Sequence, residues 1–321
     1  MKIGLFYDFD LTLTEEYQQF PIFRFFKEEL NKTYGIKNPL DYFKRFANKG
    51  DMGVGWMQPF LKDASLNGSK VFYCLTNERM EKEFAPQIKL AAGIPGWFPT
   101  INQFCSKLGL QPEHHVISAG ITPLIKGTAI FPYLSSLHCG SFFEDENGIC
   151  QIERSIEPSR KVDFIKKICK GDGRGSTEDI SLEEYALNYC NSVVIGDGQS
   201  DLNMFRHIKE RGGIAIAVFE PGSEEDYNRA KNNLGRAINL IVPRDYSSGS
   251  VLEQVVQKAL TDFGTNECNM DYDLVNKTLR NQTKNLAVKG LVLEHYRRCD
   301  YCQKRNEVKA YFNLEDYLNE K

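Results

Sequence analysis

The stretch Lys2-Ile3-Gly4-Leu5-Phe6-Tyr7-Asp8-Phe9-Asp10-Leu11-Thr12-Leu13-Thr14 decides the reading of this chain. A short apolar run with no polar alternation is what a strand buried on both faces looks like. Two carboxylates stand just past its end, two residues apart, with the Thr12 hydroxyl two residues further on. Carboxylates crowded into a small volume repel, and one of them stays protonated unless a cation intervenes. Hard divalent cations take oxygen ligands, so the pattern suits such an ion. A polar strand end with an ordinary turn is the bland account.

A second stretch repeats the arrangement: Ser192-Val193-Val194-Ile195-Gly196-Asp197-Gly198-Gln199-Ser200-Asp201-Leu202-Asn203-Met204-Phe205. Again an apolar run ends in Gly and Asp. Leu202, Phe205 and Ile208 then follow at helical spacing, so Asp197 falls at a strand end and Asp201 at a helix start. A helix N-terminus favours a carboxylate by itself. That does not explain why two strand ends carry the same acidic decoration.

Taken together these stretches resemble the haloacid dehalogenase superfamily. Asp8-Phe9-Asp10-Leu11-Thr12 looks like its first motif and Gly196-Asp197-Gly198-Gln199-Ser200-Asp201 like its fourth. Val116-Ile117-Ser118-Ala119-Gly120 fits the second, and Lys161, in Glu157-Pro158-Ser159-Arg160-Lys161-Val162-Asp163, is the best candidate for the third. Arg160 and Lys166 compete for that role, and Lys126 falls only eight residues after Ser118. Order and spacing resemble the phosphoserine-phosphatase-like branch over about residues 1 to 260.

The resemblance implies a Mg²⁺-dependent phosphatase of small phosphate monoesters working through an aspartyl-phosphate. Asp8 would be the nucleophile, and Asp10 would protonate the leaving group and then activate water. Asp8 and Asp197 would hold Mg²⁺ through side-chain oxygens and Asp10 through its backbone carbonyl, while Asp201 would bind a metal water or orient the site. Ser118 would donate to a phosphate oxygen beside the N–H groups of Ala119 and Gly120, and Lys161 would neutralise phosphate charge. Alternatives within the fold are transfer to an acceptor other than water and phosphonate cleavage. A non-catalytic binding module that kept the fold is the rival of another class. The branch's substrate-gripping Glu has no match: its position falls on Tyr17, with Glu15 and Glu16 out of register. The resemblance thus carries the chemistry further than the substrate.

The fold expected is α/β, a doubly wound parallel sheet over residues 1–16 and 92–262. A helical cap would occupy 17–91, where Phe20, Phe23, Phe26, Leu30 and Tyr34, then Tyr42, Phe43 and Phe46, come near helical spacing as a cap core. Gly50, Gly53, Gly55, Pro59, Gly68 and Pro86 should divide it into short helices. Helices are expected at 100–108 and 159–169, and strands at 115–118, 215–219 and 239–243. Residues 140–156 should form a strand pair. Of His114 and His115, one should face the core and one solvent, and Thr12 and Thr14 should anchor the loop after the first strand. A polar, mostly helical extension spans 263–321, with Cys299 and Cys302 at zinc-ligand spacing near His295 and Cys268.

Composition bounds the rest. With 41% apolar and 12% aromatic residues among 321, the chain can bury a core. Its 40 basic and 43 acidic residues, net −3, give no support to a nucleic-acid or membrane-surface partner, and the partner the resemblance implies is a small phosphorylated metabolite. No apolar run reaches membrane-spanning length, and nine scattered cysteines fit a reducing, cytoplasmic setting.

Overall fold

The computed structural model describes residues 1–47, 55–65, 71–146, 148–171, 173–181 and 184–264. Seven strands form one sheet: β1 (Lys2–Tyr7), β2 (Gln111–Ile121), β3 (Ser136–Asp145), β4 (Gly148–Arg154), β5 (Ser192–Gly196), β6 (Ile214–Phe219) and β7 (Leu240–Pro243). Their order is β4-β3-β2-β1-β5-β6-β7, and every neighbouring pair is parallel except β3 with β4. From β1 the chain works outward through β2 and β3, then returns to β5 on the other side of β1. That reversal makes the carboxyl ends of β1 and β5 the place where such sheets open a crevice.

Strand alternation builds two cores. Ile3, Leu5 and Tyr7 face one layer with Val193 and Ile195; Phe6 and Val194 face the other. Between β1 and β2 the chain forms α1 (Phe20–Phe25), α2 (Lys27–Tyr34), α3 (Pro39–Ala47), α4 (Met57–Ala64), α5 (Asn77–Arg79) and α6 (Trp97–Lys107). After β2 come α7 (Thr122–Lys126), α8 (Lys161–Lys170), α9 (Leu202–Glu210), α10 (Glu224–Leu234) and α11 (Val251–Gly264). Helices α6 and α11 cover the first face, and α8, α9 and α10 the second. This is the doubly wound arrangement. Among the described residues no helix is long and apolar enough to cross a membrane, and each cysteine is a free thiol. The extension expected from 263 lies outside the described residues beyond the end of α11, as do Cys268, His295, Cys299 and Cys302.

Helices α1 to α5 form the inserted cap. Its aromatic stripe packs inward, with ring centroids 4.8 Å apart for Phe23 and Tyr42 and 5.0 Å for Phe60 and Phe72. Buried Asp63 accepts from the hydroxyls of Tyr34 (2.6 Å) and Tyr42 (2.9 Å). The insertion begins and ends at one place. Thr14 bridges Leu90, the Ala91 N–H donates to the Leu13 carbonyl (3.0 Å), and the Glu15 N–H donates to that of Lys89 (2.9 Å). The hairpin of β3 and β4 continues past β2 and meets the cap: Phe142 stacks on Phe60 at 5.7 Å, and the Asn77 N–H donates to Glu144 Oε2 (2.6 Å).

Several local expectations shift. Pro59 sits in the first turn of α4, where its missing N–H costs nothing, so it starts that helix instead of breaking it. Pro99 does the same in α6, which starts at Trp97. Gly50, Gly53 and Gly68 lie outside the described residues. The 115–118 strand extends to 111–121. His114 and His115 are both buried, because β2 is covered on both faces. His114 Nδ1 pairs with the Tyr7 hydroxyl (3.0 Å) and Nε2 with Asn102 Oδ1 (2.9 Å), whereas His115 pairs with Ser136 (2.8 Å).

Burial pushes His114 and His207 down to about 3, and His138 to about 4, from the usual 6.5. Between those values and 6.5 the unfolded chain binds more protons than the folded one, so stability is lost as pH falls through that window. Carboxyls raised by burial at Asp8, Asp10 and Asp197 act in the opposite sense over the same range, so the expectation is a difference between variants: from pH 7 to pH 5 the Tm of His207→Phe should fall less, or rise more, than that of the parent. Identical pH dependence of the two in thermal melts would contradict a neutral, buried His207.

Candidate active site

Asp8 leaves the end of β1 while still in the ladder, its N–H donating to the Ile195 carbonyl at 3.0 Å. Its carboxylate is 4% exposed. Asp197 follows β5, and Asp201 precedes α9 with no exposure. One carboxylate oxygen from each of Asp8, Asp197 and Asp201 lies within 4.8 Å of the others. The two acidic stretches therefore converge at the switch point of the sheet.

Lys161, the first residue of α8, is buried among them. Its Nζ lies 2.8 Å from Asp8 Oδ1 and 2.8 Å from Asp201 Oδ1. An ammonium has three donors, so one remains for a ligand. Its rivals are elsewhere: Arg160 and Lys126 are exposed, and Lys166 pairs with Asp163. Asp201 Oδ2 faces the N–H groups of Asp197 (3.2 Å) and Gly198 (3.4 Å), so this carboxylate holds the loop and the lysine together. A Cβ on Gly196 would stand 2.4 Å from the same oxygen, which is why glycine precedes Asp197.

Burial, then Asp201, raises the Asp8 carboxyl well above the ordinary range, with Lys161 opposing. Burial and Asp201 also push Asp197 up to about 7. Burial alone would lower Lys161, but Asp201 and Asp8 outweigh it and hold the ammonium charged. One lysine does not neutralise three carboxylates. The all-oxygen donors and the uncompensated negative charge fit a hard divalent cation.

Asp10 lines the same cavity as Asp8 and Asp197 but is not one of the three clustered carboxylates. Its Oδ1 accepts from the Gln18 backbone N–H (2.7 Å) and its Oδ2 from Gln18 Nε2 (3.0 Å). Burial raises it to about 6 despite those bonds. Gln18 was not singled out in the sequence. Its Oε1 also accepts from the Ile121 N–H (2.9 Å), joining the β1 loop to the end of β2. A Cβ on Gly120 would come 1.7 Å from Gln18 Nε2, so glycine makes room for this link.

Ser118 and Ala119 line the same pocket, where the register of β2 with β3 breaks between Ile117 and Ile121. The Gly120 N–H donates to Ser118 Oγ (3.1 Å). This corrects its expected role: that N–H is engaged by the serine and not offered to a phosphate. Thr14 anchors the β1 loop, with its Oγ1 donating toward the Glu16 carbonyl (2.7 Å) and accepting from the Leu11 N–H (3.0 Å). The Thr12 hydroxyl is buried and meets no hydrogen-bond partner among the described residues. Its carbonyl accepts from the Tyr246 hydroxyl (3.0 Å), and that of Leu11, in the left-handed region at φ 57°, accepts from Arg244 Nη1 (2.8 Å). Neither Arg244 nor Tyr246 carries a local sequence signal.

Above these groups is a cavity of 470 Å³ roofed by the cap. Phe43 lines it and so belongs partly to the pocket, not only to the cap core; Tyr17, Lys44 and Trp56 line it as well.

No family model matches the chain, and no curated protein matches its sequence. Solved structures do match. An apo phosphoserine phosphatase aligns at TM-score 0.50 and 15% identity, over 80% of this chain and 98% of that one. An unliganded probable phosphoserine phosphatase from Vibrio cholerae aligns at TM-score 0.50 and 13% identity, over 84% and 68%. The likeness is one of fold: this chain shares its α/β core architecture with these two structures.

Replacing Lys161 strands two buried carboxylates, a loss of about 3–5 kcal/mol. Lys161→Met is expected to lose that much in urea unfolding, and adding Asp201→Asn should recover part of it. A Lys161→Met protein as stable as the parent would show that the buried triad is not held by charge.

Proposed function

We propose that this chain is a Mg²⁺-dependent phosphatase of small phosphate monoesters, acting through a phosphorylated Asp8. The observation that carries the reading is the meeting of Asp8, Asp197 and Lys161 at the floor of one capped cavity, with the fully buried Asp201 in contact with Lys161. Asp8 and Asp197 would hold the ion by side-chain oxygens and Asp10 by its carbonyl. When bound, Mg²⁺ supplies the positive charge that keeps Asp8 ionised and lets an anionic ester approach.

In the first step an Asp8 oxygen bonds to phosphorus while the bond from phosphorus to the ester oxygen breaks. Asp10, raised to about 6, gives its proton to the departing oxygen. In the second step water attacks phosphorus and its proton passes to Asp10. The bond to Asp8 breaks, and inorganic phosphate leaves with both carboxyls restored. Ser118 and the spare Lys161 donor would hold the phosphoryl oxygens as charge shifts between them. Gln18 keeps Asp10 aimed through both steps. Free thiols at every described cysteine support a reducing compartment such as the cytoplasm for this activity.

The test is phosphate release from 4-nitrophenyl phosphate. Activity is expected to disappear with EDTA and return with Mg²⁺, which should also raise the Tm of the parent chain. Asp8→Asn should release nothing above background. Ser118→Ala and Lys161→Ala should fall roughly 10²–10³-fold. Release by Asp8→Asn at the parent rate would remove Asp8 as nucleophile. A folded parent that binds Mg²⁺ but hydrolyses no ester would leave a binding module.

A further inference from the structure

We infer that the ester this site selects carries a planar aromatic or heteroaromatic leaving group with a hydrogen-bond donor, and not an amino-acid side. The inference rests on the phosphatase reading for the end that holds phosphate, and on the cap wall for the rest.

The cavity has two unlike ends. Its floor is charged, as described. Its cap wall consists of Tyr17, Gln19, Leu40, Phe43, Lys44, Gly55 and Trp56. Three of these seven are aromatic. The Tyr17 and Phe43 rings are 5.3 Å apart and inclined at 51°, and the Phe43 and Trp56 rings are 5.9 Å apart and nearly perpendicular at 88°. Rings at such angles and distances leave faces and edges for a further ring to join edge-to-face or offset. A volume of 470 Å³ is far more than a phosphate group fills, so the leaving group must occupy the space beneath this wall.

Charge on the wall argues against an amino-acid ester. An ammonium brought beneath the cap would need a carboxylate to offset its lost hydration. The two acids nearest in sequence do not line the cavity. Glu16 is held by both Nη groups of Arg24 at 2.6 and 2.8 Å, and Glu15 is exposed. The charged residue the wall does present is Lys44, a largely exposed side chain whose Nζ lies 3.6 Å from Asp41. Three aromatic rings would also suit a quaternary ammonium, which the test below therefore includes. Gln19 adds the polar requirement. It is 2% exposed, and its Oε1 meets no hydrogen-bond donor among the described residues. A buried acceptor left unpaired costs stability, so a ligand N–H or O–H reaching this wall would be favoured.

The test separates binding from turnover. Calorimetric titration of the full-length Asp8→Asn chain in Mg²⁺ would compare 2-(4-hydroxyphenyl)ethyl, 2-phenylethyl, 2-cyclohexylethyl and propyl phosphates with phosphoserine and phosphocholine. These are all alkyl esters, so leaving-group acidity does not set the order. The 2-phenylethyl ester is expected to bind about tenfold more tightly than the propyl ester and phosphoserine, and more tightly than its cyclohexyl analogue. The hydroxyphenyl ester should bind at least as tightly as the phenyl. Phe43→Leu should lower the phenyl-to-propyl ratio, a ratio taken within one preparation and so independent of its yield. The same order is expected in kcat/KM of the parent chain. Equal affinity for phenyl and cyclohexyl esters, or tightest binding of phosphoserine or phosphocholine, would overturn the inference. Aromatic preference in binding without phosphate release would overturn the phosphatase reading and leave the selectivity standing. Phosphate release with no such preference would do the reverse.

Discussion

Lys161 sits where the site's charges would otherwise drive it apart. It brings the first turn of α8 against the end of β1 through Asp8 and against the start of α9 through Asp201. Three charged groups share a volume nearly closed to water, an arrangement that is costly to assemble and worse to leave incomplete. Through Asp201 the same contact reaches the backbone of Asp197 and Gly198, so both acidic loops take their shape from one ammonium group. Three carboxylates against one lysine still leave an excess of negative charge. The contact that ties these elements together thus also leaves the charge that a bound cation would balance.

Much of this was legible in residue order. Apolar runs without alternation located β1 and β5, and acidic residues just past both placed the crevice. Lys161 could be preferred to Lys126 by its interval from Ser118, but its neighbours Arg160 and Lys166 stayed competitors until the structure separated them: it alone of the four basic residues considered is buried, at the base of α8. Other parts were hidden for identifiable reasons. Gln18 has an ordinary residue type, and its role exists only because Gly120, far along the chain, leaves a gap its amide can fill. His114 and His115 misled because alternation sorts residues by face, whereas a central parallel strand has a buried layer on either face. Phe43 reads as one more member of a helical stripe until the fold turns it toward the cavity.

Support for the loop after Asp8 also comes from far away in sequence. Arg244 and Tyr246, just beyond β7, grip the carbonyls of Leu11 and Thr12. A left-handed conformation at Leu11 is unfavourable for a residue with a branched side chain. Those two bonds offset that cost and fix how the chain departs from Asp10. The last strand of the sheet therefore shapes the turn after the first, although it contributes no group to the cluster of charges.

The neck of the cap has a broader consequence. The chain departs beside Leu13 and comes home beside Ala91, with Thr14 and Leu90 side by side between them. To the sheet, everything in between is topologically a closed loop of no span. Lengthening or exchanging it imposes little additional closure entropy on the core. The charged floor and the loop that roofs the cavity are thus separately heritable, and a lineage could reshape the space above the floor by rewriting the loop alone.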